Sequence, residues 1–211
     1  MDYPALDEAV RREGLLVMGA LDPDSTGTLV LLGAGAGFWP VFQAAPESRD
    51  GQPDPVDRWS KRVVGALAAH FGARALFPFG GPPYQPFLRW ARESGRAFPS
   101  PTGMLVHDTV GLMISYRGAL HLPETIAWPA PPGTSPCDSC EGRPCVDACP
   151  VTALSATAPY DVEACHGFLD TRSGGDCMRH GCAVRRACPV SAGAAREAAQ
   201  STLHMRAFHP S

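Results

Sequence analysis

All eight cysteines of this chain lie beyond residue 136, and their spacing constrains the fold more than any other feature. They read Cys137-x2-Cys140-x4-Cys145-x3-Cys149-Pro150, then Cys165, then Cys177-x4-Cys182-x5-Cys188-Pro189. Two runs that each end in Cys-Pro, with eight thiols in all, match what two four-iron clusters need, since each cubane takes four thiolates. A segment this rich in cysteine folds around what the cysteines bind.

Chain reach sets the pairing. Short loops let the first three cysteines of a run wrap three corners of a cubane, but the fourth corner needs a long detour. The cysteine before proline therefore leaves on the next helical segment and serves the neighbouring cluster, as in the bacterial ferredoxin run. Proline after it suits the first turn of a helix, where a missing N–H costs nothing. On this reading one cluster takes Cys137, Cys140, Cys145 and Cys188, and the other takes Cys149, Cys165, Cys177 and Cys182.

Two other uses of eight thiols compete. A disulfide framework needs an oxidising compartment. Residues 1–10 lack the basic and apolar regions of a signal peptide, so the expected setting is cytoplasmic and reducing. Zinc is the stronger rival, because Cys-x2-Cys and Cys-x4-Cys can each supply half of a tetrahedral site. The two Cys-Pro ends favour iron–sulfur.

With 211 residues, 45% of them hydrophobic, the chain can bury one good core, or a core plus a small cofactor-organised lobe. A net charge of −3 and a pI near 6.1 give no electrostatic case for nucleic acid or an anionic membrane. No apolar run approaches the roughly 20 residues of a membrane span.

Ahead of the cysteines the pattern is mixed. Residues 5–13 read as a short helix stopped by Gly14. Residues 15–21 and 28–32 read as strands around an Asp22-Pro23-Asp24-Ser25 turn. Gly33-Ala-Gly-Ala-Gly37 could cradle phosphate, but it lacks the full dinucleotide fingerprint, and a tight turn is the competing reading. Val56, Trp59, Val63, Leu67 and Phe71 recur at helical spacing, with Asp54 or Asp57 as cap and Gly72 as stop. A strand over 73–79, a helix over 84–94 and strands over 104–107 and 112–122 complete an α/β body, residues 1–122. A proline-rich link over 123–136 and a cysteine lobe over 137–211 follow.

Two stretches resemble the epoxyqueuosine reductase family and its relatives, the CblC-type cobalamin-processing reductases. That family places a lone cysteine in an Asp-x-x-x-Cys-x-x-Tyr-Leu-Thr setting between its two cysteine runs. Here Asp161-Val-Glu-Ala-Cys165-His-Gly-Phe168-Leu169-Asp170 stands in the same place, 16 positions after Cys149. The second stretch is 95–111, which has the length and hydrophobic layout of the family's Gly-Leu-Gly-Trp-Ile-Gly-Lys-Asn-Thr-Leu-Leu-Ile-x-Pro-x-x-Gly. Phe98 takes the tryptophan slot, and Pro101-Thr102 replaces Lys-Asn. The cysteine loops 140–145 and 177–188 are longer than the family's.

The resemblance implies an α+β protein, with a flavin-reductase-like (nitroreductase-related) α/β body before a dicluster ferredoxin-like lobe. It further implies that two [4Fe-4S] clusters deliver low-potential electrons to a corrinoid, with FMN or FAD less favoured, and exchange them with a redox partner protein. Four-iron clusters reach down to about −700 mV, which suits so demanding an acceptor. Epoxyqueuosine reduction itself is not expected. The family's catalytic aspartate would fall near Gly81, and no Asp or Glu occurs between Asp57 and Glu93. The family's tRNA-gripping helical repeats also have no counterpart after Cys188.

Outside the cysteines, the candidates to line a flat-ring cofactor are Gly81 and Tyr84 in the aromatic, proline-rich loop 80–90, together with Phe98 and His107. Rigid core packing is the alternative for that loop, and ordinary hydrogen bonding for His107 and His121. His166 and His180 flank cluster ligands and are expected to donate N–H···S bonds. Arg185 and Arg186 either stabilise anionic clusters or simply face solvent. The rival functions are a dicluster electron carrier with no substrate of its own, and a redox sensor.

Overall fold

The computed structural model describes residues 2–23 and 26–210. It is a mixed α+β protein that divides into two compact units, Met1–Arg96 with Ser115–Gly133, and Ala97–Ile114 with Thr134–Ser211. Among the described residues no helix is long and apolar enough to cross a membrane.

The first unit is built on four strands, β1 (Leu15–Leu21), β2 (Thr28–Ala34), β3 (Arg74–Leu76) and β6 (Tyr116–Leu122). They pair antiparallel in the order β1-β2-β6-β3, with registers such as Leu21↔Leu29, Val30↔Leu120 and Ala75↔Leu120. Every residue of β2 is buried, so that strand reads as a continuous apolar run rather than an alternating one. Asp24 and Ser25 of the expected β1–β2 turn lie outside the described residues.

Four helices accompany the sheet. Helix α1 (Tyr3–Arg12) starts where the Ala5 N–H donates to the Asp2 carboxylate at 3.1 Å, and it buries Leu6 and Val10, one turn apart. Helix α2 (Phe38–Ala44) follows the glycine-rich segment. Helix α3 (Pro55–His70) buries Val56, Trp59, Val63 and Leu67 as the periodicity requires, and α4 (Phe87–Glu93) buries Phe87 and Trp90. Of the two expected caps of α3, Asp54 stands at the N-cap position, but its side chain makes no capping bond. Its backbone is in the left-handed region, and Asp57 pairs with Arg117 of β6 at 3.3 Å.

Trp59 is 1% exposed and meets Phe38 edge-on, with ring centroids 5.1 Å apart, while Phe38 stacks on Phe42 at 5.5 Å. Aromatic contacts of this kind add to an already large burial term. Trp59→Ala should therefore cost about 3–5 kcal/mol, read as a lower midpoint in a denaturant titration followed by far-UV circular dichroism.

The second unit joins a hairpin to the cysteine segment. Strands β4 (Ala97–Pro99) and β5 (Leu105–His107) pair antiparallel, with Phe98 opposite Val106. Helices α5 (Val162–Leu169), α6 (Gly175–His180), α7 (Ala183–Ala187) and α8 (Ala198–Phe208) follow, with a 3-10 turn over Pro189–Ala194. Helix α8 packs on α6.

The division falls elsewhere than a cut at residue 122, for a physical reason. Val106 and Leu112 bury themselves with Cys145, Val184 and Cys188, so residues 97–114 supply the apolar core that the cysteine segment lacks by itself. The strand expected over 112–122 breaks accordingly. The Leu112 N–H donates to the Ser191 hydroxyl at 3.1 Å rather than into a ladder, and β6 begins only at Tyr116. The proline-rich stretch up to Gly133 belongs to the first unit, where Thr28 takes the Ile126 N–H on its hydroxyl at 3.0 Å and donates its own N–H to the Glu124 carbonyl at 3.2 Å.

Candidate metal centres

The loop that carries the first cysteine run is held by its own short bonds. The Cys137 N–H donates to the Ser135 hydroxyl at 3.2 Å, and the Ser135 N–H to the Asp138 carboxylate at 3.2 Å. Gly142 and Arg143, at φ +69° and +39°, let the chain reverse between Cys140 and Cys145. Cys188 arrives from α7 and is followed by Pro189 at the first turn of the 3-10 segment.

These four cysteines, 137, 140, 145 and 188, line one cavity, walled on the apolar side by Val106 and Leu112 of the hairpin segment. Burial pushes the Cys137 and Cys145 thiols up. Cys188 and Cys140 add to the rise at both, because a second negative charge nearby would oppose ionisation.

The other four thiols form a second group. Cys165 sits on α5, Cys177 on α6, Cys182 at the start of α7, and Cys149 at the end of the first run. Burial pushes Cys165 up, and Cys182, Cys149 and Cys177 add to it, while the Tyr160 hydroxyl beside it pulls the other way. Burial also pushes Cys177 up, against a hydrogen bond from the Ala183 N–H that favours its thiolate. Cys149 accepts the Ala153 N–H at 3.3 Å. Each group thus contains the Cys-Pro cysteine of the other run.

All eight thiols are free. Cys137, Cys145, Cys165 and Cys177, which burial pushes up, resist ionisation as long as no cation joins them, and a bound metal centre would supply that cation while releasing the protons. Among the described residues no group of three or more His, Cys, Asp or Glu is set to hold a single metal ion. Zinc draws its sulfurs to about 2.3 Å from one point. A cubane takes four thiolates as well, and Cys137, Cys140, Cys145 and Cys188 stand around one cavity. The all-sulfur donor sets and the backbone N–H groups aimed at Cys149 and Cys177 fit iron–sulfur chemistry as well.

The remaining sequence candidates do not come together in one unit. Gly81 and Tyr84 belong to the first, in an open loop where Tyr84 is 65% exposed. A Cβ on Gly81 would meet the Pro83 carbonyl at 2.8 Å, so the glycine there answers to crowding within its own loop. Phe98 and His107 belong to the second. Phe98 packs on the Val106–Cys145–Cys188 core, and His107 is fully buried, with its Nδ1 accepting the Thr109 N–H at 3.1 Å. His121 on β6 lies between Thr26 and Arg74, at 3.4 and 3.3 Å.

Gly33 and Ala34 end β2, and the next turn folds back so that a Cβ on Gly14 would come within 2.7 Å of the Gly37 carbonyl. The Phe38 N–H is taken by the Gly35 carbonyl, so the segment behaves as a tight turn.

Neither flanking histidine makes the expected bond to sulfur. His180 turns Nδ1 to Asp176 at 2.9 Å, and His166 packs its ring on Phe208 and His209, with its Nε2 buried and unpartnered. Tyr160, Ser135 and Ser191 sit in or beside these centres and escaped the sequence reading. Tyr160 alone offered a signal, as an isolated aromatic five residues before Cys165.

The first unit also carries an open cleft of about 510 Å³ between β1 and α4, lined by Asp22, Arg89, Glu93, Ser94 and Trp128 among others. No protein-family model, curated protein or solved structure matches this chain.

Proposed function

We propose that this protein is an iron–sulfur redox protein that holds two [4Fe-4S] clusters, one on Cys137, Cys140, Cys145 and Cys188 and the other on Cys149, Cys165, Cys177 and Cys182. The observation that carries the reading is the sorting of eight free, buried or part-buried thiols into two groups of four that exchange their Cys-Pro cysteines. Such clusters move single electrons at low potential. The protein's part is to position them, exclude water and set their potentials through hydrogen bonds and nearby charge.

In this reading the second unit is a dicluster, ferredoxin-like lobe, its core completed by the β4–β5 hairpin, and a redox protein is its partner. Electron transfer is the activity that the arrangement supports best.

A second reading adds an acceptor held by a flavin-reductase-like first unit, either a corrinoid or, less favoured, FMN or FAD. It is supported by the cleft beside Trp128, whose volume lies within the usual 300–1,000 Å³ of small-molecule sites. The half-buried Trp128 lines that cleft, and an indole offers a face for a flat ring to stack on. Anaerobic titration of the cluster-loaded protein with cobalamin, FMN and FAD, followed by absorbance, separates the two readings. Saturable binding that Trp128→Ala weakens about tenfold supports an acceptor in the cleft. No binding of any of the three at high micromolar concentration, with reducible clusters, leaves the electron carrier.

A further inference from the structure

We infer that Arg185 is the enclosed countercharge of the cluster on Cys149, Cys165, Cys177 and Cys182, and that it holds this cluster's reduction potential above the value an uncharged residue there would give. The inference rests on the two-cluster reading.

Arg185 lies on α7, three residues after Cys182. It is part-buried along its length, and its guanidinium donates to two backbone carbonyls, Leu112 O at 3.0 Å and Ile114 O at 3.5 Å. Among the described residues no carboxylate pairs with it. Its neighbour Arg186 shows the ordinary arrangement, exposed, bonded to the Asp176 carboxylate and to the Gly181 carbonyl at 3.0 Å.

An enclosed cation without a counter-ion is expensive, because carbonyl dipoles replace hydration but do not cancel charge. Burial indeed pulls the Arg185 guanidinium below its usual range. The groups that oppose this are Cys182 and Tyr160. Backbone carbonyl oxygens cannot supply the missing negative charge.

The thiolates of the second group can. A cubane with four thiolates is an anion in both redox states, and reduction adds one more negative charge. A fixed cation nearby favours the more negative state, by the same electrostatics that shifts a pKa. The carbonyls of residues 112 and 114 fix where that cation stands.

The test compares Arg185→Met, Arg185→Lys and Arg186→Gln in the full chain, anaerobically reconstituted with iron and sulfide. Iron is counted, and each reduction step is followed by potentiometric titration with electron paramagnetic resonance. In R185M one of the two steps should move to more negative potential and the other should stay. R185K should recover most of the shift, and R186Q should move neither step.

The iron-free R185M protein should melt no lower than the iron-free wild type, because it has lost an uncompensated buried charge. Should R185M bind only half the iron while R185K binds all of it, the countercharge is needed for assembly, which supports the inference. Full iron with both steps unmoved in R185M overturns it. So does loss of half the iron in R185K as well, which would make Arg185 a brace for the carbonyls rather than a charge. A wild type without iron and sulfide fails at an earlier point and removes the two-cluster reading itself.

Discussion

Cys188→Ala should remove about half of the bound iron and sulfide, and the half it removes should be the cluster shared with Cys137, Cys140 and Cys145. Cys149→Ala should remove the other half, although Cys149 belongs to the same run as those three. Double variants read the pairing without any need to assign spectra. Cys137→Ala with Cys188→Ala strikes one cluster twice, so it should lose no more iron than either change alone. Cys177→Ala with Cys188→Ala strikes both, so it should lose nearly all. This is the non-additivity expected of residues that act as one unit and the additivity expected of independent ones. Nearly full loss in the first double variant, with half-loss in the second, would reverse the assignment.

The second large effect needs no cysteine. The turn after β5 and the 3-10 segment after Cys188 meet backbone to backbone. A Cβ on Gly193 would stand 2.0 Å from the Thr109 carbonyl, and one on Gly111, itself at φ +56°, would stand 2.4 Å from the Ser191 nitrogen. Gly193→Val should push the two segments apart, break the Leu112 N–H to Ser191 bond and displace Cys188 from its group. The expected results are several kcal/mol of lost stability and loss of the cluster that Cys188 serves, with the other cluster retained. Gly65 in α3 is the control. A Cβ there meets nothing within 4 Å, so Gly65→Ala should leave the iron unchanged and stabilise the helix by up to about 1 kcal/mol. A G193V protein with full iron and an unchanged melting temperature would contradict the packing described here.

The proposed pairing of the thiols came from the sequence, since a cubane needs four thiolates and a Cys-Pro cysteine leaves on the next helical segment. Helix α3 was legible through Trp59 and its helical repeat, and β1 and β2 through their apolar runs. Much of the rest depended on tertiary contacts that no local pattern encodes. Residues 112–122 carry a uniform strand-like composition. Nothing in it marks that Leu112 turns toward Cys145 and Cys188 while Tyr116 opens a strand of the other unit. The placement of the 97–114 hairpin with the cysteines is likewise a matter of which apolar surface lacked a partner.

Candidate ring-binding residues fared differently because their types have two uses. His107 at a strand end is a buried acceptor for a backbone N–H, and Gly81 answers to crowding in its own loop. Arg185 and Arg186 are adjacent and chemically identical, and only packing makes one an enclosed cation and the other a surface partner of Asp176.

Metal and sulfide analysis of the anaerobically reconstituted protein tests the central claim most directly. About eight irons and eight acid-labile sulfides per chain are expected, with broad sulfur-to-iron charge-transfer absorbance that bleaches on reduction. Stoichiometric zinc with no such absorbance, after the same anaerobic preparation, would contradict it.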